Sequence, residues 1–171
     1  MKPMENTSPE RKDPEKNEEA SLALTEDLRK LLLENGFDRV GFAAADSTPG
    51  SEEFRDWIDR GYSGNMDYLA RNAERRCDAG KVLEGTRSMI VMALHYGEDR
   101  ALGIASPASD HAEIAAYARG TDYHRVIEKR LKSCSRILKG TFGGNYRYYV
   151  DTGPVLEKAW AQKAGIGWIG K

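Results

Sequence analysis

The chain has 171 residues, with 26 Lys and Arg against 27 Asp and Glu, for a formal net charge of −1. Such a balance excludes recruitment of nucleic acid or an anionic membrane by a global field, so any binding of that kind must come from a local patch. An apolar content of 40% suits one domain with a real core. No apolar run approaches the roughly 18 residues of a membrane span, and the charged N-terminus is no signal peptide. Cys77 and Cys134 lie far apart and give no disulfide framework, which suggests a reducing, cytoplasmic setting.

Taken in order, residues 1–17 are rich in Lys, Glu, Asp, Asn and Pro and read as a disordered tail, with the folded domain over 18–171. Leu22, Leu24, Leu28, Leu31 and Leu32 recur at helical spacing, and Asn35-Gly36 closes that helix. Arg39 to Ala45 reads as a first strand. Ser51 is placed as an N-cap before two acids, so a helix follows and Gly61 to Gly64 breaks it. A short helix begins near Met66, and 72–81 is a charged connection. Ser88 to Tyr96 is continuously apolar and predicts a buried central strand. Glu113 to Arg119 predicts another strand. Thr121 to Lys139 is the clearest helix, with Tyr123, Ile127, Leu131, Cys134 and Leu138 as one stripe. Arg125, Lys129, Arg130, Lys132, Arg136 and Lys139 face outward, a pattern of solvated surface that could also meet RNA.

The last stretch carries the most chemistry. Tyr148-Tyr149-Val150 predicts a strand ending on Asp151, Gly153-Pro154 turns the chain, and a helix runs from Val155 to Lys163 with Pro154 at its start. Gly165 suits a left-handed C-cap. Asp151-Thr152-Gly153 matches the aspartic protease triplet, but Pro and a helix follow where that fold continues as strand, and the chemistry needs a second carboxylate. Gly165 to Gly170 spells Gly-x-Gly-x-x-Gly, yet it follows a helix rather than a strand. Asp122-Tyr123-His124 misses a known cobalt-ligating motif because Ile127 stands where a glycine is needed, so His124 reads as a cap or surface residue. The three histidines lack ligand spacing with the cysteines, so no metal site is assigned. Asp151 by itself reads either as a helix-flanking acid, its pKa lowered by the helix dipole, or as a general acid if apolar burial raises it.

Several segments together resemble epoxyqueuosine reductase: Ala116 to His124, Val150 to Glu157, Ala164 to Lys171, and Gly64 to Leu69 followed by Arg75-Arg76 and the apolar strand ending at Tyr96. The match runs from about residue 22 to the end. The resemblance implies an α+β fold, a mostly antiparallel sheet flanked by helices, in a nitroreductase-like cobalamin-binding domain. It implies an oxidoreductase that reduces epoxyqueuosine to queuosine at the wobble position of tRNA, with cobalamin and two [4Fe-4S] clusters as cofactors. Asp151 takes the place of the proton donor. Cofactor contacts fall on Arg76, on Ala115, Tyr117 and Arg119, and on the turn from Asp151 to Leu156. Tyr117, Tyr148, Tyr149 and Trp160 are available to wall the pocket, though each also reads as ordinary core, and a ring over Asp151 would exclude water and raise its pKa. The implied partners are tRNA carrying epoxyqueuosine and an electron donor, with no membrane and a monomeric family. The sequence departs from the family in lacking four-cysteine runs for the clusters. With its apolar, glycine-punctuated end, the chain is therefore expected to be either the cofactor half of a longer protein or a truncated product. A dehalogenase-type cobalamin reductase and a non-catalytic cobalamin- or tRNA-binding module stay open as alternatives.

Overall fold

The computed structural model describes residues 14–96, 115–118 and 120–170. Helix α1 spans Pro14–Glu34. Residues 14–17, expected in the tail, form its first turn, because Pro14 suits a helix start and the Glu- and Lys-rich residues after it are good helix formers; residues 1–13 lie outside the described residues. Leu32 is fully buried and Leu28 and Leu31 pack beside it, whereas Leu22 and Leu24 are exposed, so only the second half of the leucine stripe meets the core. Gly36, at φ 90°, turns the chain out of α1.

Strand β1 (Arg39–Ala44) pairs antiparallel with β2 (Ser88–Ala93), Val40 opposite Met92 and Phe42 opposite Ile90. Alternation splits β1 between two layers. Val40 and Phe42, with Ile90 and Met92, join the cluster built on Leu32, Phe37, Leu131, Cys134 and Leu138. Gly41 faces the other way, and a Cβ there would run into the carbonyl oxygen of Ala164. Among the described residues the sheet has only these two strands, fewer than the sequence predicts. Residues 88–93 are half-buried beyond Ser88 and have one pairing neighbour, so the expected central strand is shorter and less enclosed. Ala116–Ala118 forms a 3-10 turn closed by the Ala118 N–H on the Ala115 carbonyl, where a strand was predicted. Tyr148 and Val150 pack against the core as irregular backbone, since that three-residue apolar run finds no strand to pair with among the described residues.

Helix α2 (Ser51–Asp59) is entered through Gly50 at φ 72°, so the glycine and not Ser51 occupies the cap position. Helices α3 (Asp67–Arg71) and α4 (Ala73–Arg76) follow, and α4 lies within the stretch expected to be a connection. Helix α5 (Tyr123–Phe142) buries Leu131, Cys134 and Leu138 as its spacing predicts. Arg125, Lys129, Lys132, Arg136 and Lys139 are exposed, but Arg130 is half-buried and donates to the Gly36 carbonyl, tying α5 to the end of α1. Helix α6 (Glu157–Lys163) starts later than Pro154 and closes at Gly165, φ 75°. Trp160 anchors it, 2% exposed. The sheet thus lies between α1 and α5 on one face and α6 on the other. No described helix is long and apolar enough to cross a membrane.

Candidate functional site around Asp151

Between the core residue Val150 and the start of α6 the backbone makes a tight turn, closed by the Thr152 N–H on the Val150 carbonyl at 2.6 Å. Its middle residue, Asp151, has φ 56°, the one non-glycine in the left-handed region among the described residues. Aspartate tolerates that region better than most residues, yet the conformation persists only where surroundings impose it. Two neighbours impose it here. The Asp151 N–H donates to Glu157 Oε1 at 2.9 Å, and Gly153 is buried so closely against the Tyr149 ring that no Cβ would fit.

The Asp151 carboxylate is met from the start of α5. Tyr123 donates its hydroxyl to Oδ2, and His124 Nε2 lies 3.7 Å from the same oxygen. The two rings stack at 4.1 Å between centroids. Asp122 is the N-cap of α5, accepting the His124 backbone N–H at 3.0 Å while its carboxylate also lies 2.9 Å from Nδ1. A protonated His124 would therefore face a carboxylate on each ring nitrogen. Tyr117 stands edge-on to Tyr123, and Tyr96 edge-on to Tyr117, each at 6.0 Å. Below the turn, Arg76 Nη1 donates to the Val155 carbonyl at 3.4 Å, and its Nε is buried with no partner.

These contacts shape the titration of the cluster. Donation to Asp151 pushes the Tyr123 hydroxyl up to about 12, so it stays a donor at neutral pH. Burial, with the Asp151 charge second, raises Glu157 to about 7, against an opposing pull from Arg76. Hydrogen bonds from His124 hold Asp122 below the usual carboxylate range.

Of the residues singled out in the sequence, Asp151, Arg76, Tyr117 and Leu156 come together: Leu156 caps α6 directly before Glu157. Ala115 is exposed at the base of the 3-10 turn, and Arg119 lies outside the described residues. The aromatics divide between the two roles open to them, core and pocket wall. Trp160 and Tyr148 are taken into packing, Tyr149 covers Gly153, and Tyr117 is left open to solvent. The Asp151 side chain is 53% exposed. Clefts of 420 Å³ and 250 Å³ lie elsewhere, between Lys158 and Gly170 and beside Arg29 and Arg39. Sequence reasoning missed three participants. Tyr123 was assigned to the apolar stripe of α5 and His124 to a cap, and Glu157 had no role; its spacing of six residues from Asp151 across Gly153-Pro154 was the available signal.

Fold and site define an α+β unit that displays a hydrogen-bonded acid on an open, aromatic-edged surface. Residues 76–152, which take in Arg76, Tyr123, His124 and Asp151, match the family described as Epoxyqueuosine reductase QueG, DUF1730. A curated epoxyqueuosine reductase of Gloeobacter violaceus is 44% identical over 139 residues, 80% of this chain and 42% of the relative. That of Leadbetterella byssophila is 39% identical over 154 residues, 86% of this chain and 48% of the relative. A crystal structure of epoxyqueuosine reductase with a tRNA-Tyr epoxyqueuosine-modified tRNA stem loop superposes with a TM-score of 0.67 at 25% identity, covering 86% of this chain and 39% of that one. The matched stretch belongs to the epoxyqueuosine reductase family, a family of oxidoreductases. The chain spans less than half the length of the curated relatives it matches.

Proposed function

We propose that this chain is the cobalamin-binding part of an epoxyqueuosine reductase, a nitroreductase-like domain over 18–171 in which Asp151 donates a proton to the epoxide oxygen of a modified wobble base in tRNA. What carries the reading is the convergence of Tyr123 and His124 on the Asp151 carboxylate within the family-matched stretch. The residues present fit a flat cofactor with amide edges. The buried, unpartnered Nε of Arg76 is a donor in want of an acceptor, and the exposed faces of Tyr117 and Tyr96 offer apolar support beside the acid. Arg76, Tyr117, Leu156 and the Asp151 turn would hold the group, with Ala115 and Arg119 as the neighbours that the resemblance implies. When bound, cobalamin supplies low-valent cobalt as the reductant.

Opening an epoxide leaves negative charge on its oxygen, and a positioned acid neutralises that charge as it develops. Asp151 is that acid, Tyr123 fixes the orientation of its carboxyl, and His124 lies within reach to restore the proton. Covering the turn would exclude water from the acid and its partners. A [4Fe-4S] cluster takes four thiolates; Cys77 and Cys134 are the only cysteines, so clusters are not assigned to these residues. The partners proposed are tRNA carrying epoxyqueuosine and an electron donor, in a cytoplasmic setting.

Titration of the chain with cob(II)alamin, followed by visible absorbance, should give a change that saturates near one equivalent; no change at a stoichiometric dose rules out the cofactor. In a reduction assay with an epoxyqueuosine-modified stem loop and a chemical reductant, Asp151→Asn should keep the cofactor spectrum and lose about 100-fold in turnover. Unchanged turnover removes Asp151 from its role.

A further inference from the structure

We propose that Glu157 is the positioning residue of this site: by accepting the backbone N–H of Asp151 it holds the acid's turn in its left-handed conformation and so aims the carboxylate at Tyr123 and His124. This rests on the reading of Asp151 as the proton donor. The geometry supplies the reason. The turn's own hydrogen bond uses the Thr152 N–H and leaves that of Asp151 to be satisfied from outside. Glu157 satisfies it from the first residue of α6, a helix locked in place by buried Trp160 and by the contact of Ala164 with Gly41. Asp151 is therefore pinned twice, through its backbone by α6 and through its side chain by α5. With either hold removed, the φ of 56° loses part of what imposes it.

The charged groups that face Glu157 are Asp151 from the turn and Arg76 from α4. A neutral Glu157 carboxyl accepts the N–H through its carbonyl oxygen. Once ionised it still accepts, and it then places a negative charge beside the Asp151 turn. The hold thus persists through the titration while the electrostatics at Asp151 change.

The test is an amide spectrum of the whole chain. The Asp151 N–H resonance should shift with a midpoint near pH 7, where Glu157 titrates. Glu157→Gln, whose amide oxygen still accepts, should abolish that midpoint, keep Asp151 amide exchange slow, and keep stem-loop turnover within about threefold. Glu157→Ala should speed Asp151 amide exchange by about 10-fold or more and lower turnover by a similar factor, with the cob(II)alamin titration unchanged. Slow exchange in Glu157→Ala, or wild-type turnover there, overturns the proposal. If Glu157→Ala does not fold, Glu157→Asp, one methylene shorter than the side chain that reaches the Asp151 N–H, takes its place with the same two readouts: slow Asp151 exchange or wild-type turnover overturns the proposal. Should Asp151→Asn prove fully active, the proton-donor reading fails while amide exchange still reports the hold; should Asp151→Asn be inactive and Glu157→Ala normal in both readouts, the hold alone fails.

Discussion

The wedge of α1, β1 and α5 and the turn from Val150 to Glu157 are stabilised on opposite terms. In the wedge, Leu32, Phe37, Val40, Leu131, Cys134 and Leu138 are buried against one another, and the polar links, such as Arg130 to the Gly36 carbonyl, sit at its margin. In the turn, Asp151 and Thr152 are exposed, and order comes from directed hydrogen bonds to Glu157 and Tyr123. Burial is non-directional and tolerates many arrangements. A hydrogen-bonded turn holds one carboxylate at one angle, which is what proton transfer needs. The wedge carries the stability, and the turn, anchored to it through α5 and α6, carries the chemistry.

Three changes sharpen that contrast, in falling order of effect. Leu138→Ala empties a fully packed place on α5 and should cost about 3 kcal/mol in urea unfolding while leaving the local order of the Asp151 turn intact below the transition. A cost under about 1 kcal/mol would show that the wedge is not where stability resides.

Glu157→Gln should act on the pH dependence. The unfolded carboxyl ionises near 4.5 and the folded one near 7, so between those values the folded state binds the extra proton and stability falls as pH rises. Because Glu157 is only half-buried, solvent screening reduces the effect to roughly 1–2 kcal/mol at pH 8. The variant should lack that fall, and the difference between the two unfolding curves from pH 4.5 to 8 measures it. Parallel curves would mean that Glu157 titrates as an ordinary carboxyl.

Asp122→Ala removes the α5 N-cap and the partner of His124, and should lower Tm by about 2–4 °C. Its imprint on the site should be larger than that shift suggests, through a displaced His124 ring that no longer stacks on Tyr123, read from the His124 ring-proton shifts by NMR. Unchanged His124 ring-proton shifts would separate the cap from the site.

The sequence by itself determined β1, the buried stripe of α5, the glycine exits at Gly36 and Gly165, and Asp151 as the residue to watch. These rest on period, composition and turn chemistry within a few residues of each other. It misjudged the segments at 115–118 and 148–150, because a short apolar run becomes a strand only when another strand offers it hydrogen bonds. Trp160 and Tyr148, readable from the sequence as pocket wall or as core, are taken into the core, where their large apolar surfaces are better used. Only the tertiary structure decided that Tyr123 and His124 meet Asp151 across 28 and 27 positions of chain, and that Glu157 grips its backbone. Those contacts depend on how α5 and α6 lie on the sheet, and the relative placement of packed elements is a property of the whole core rather than of any one stretch.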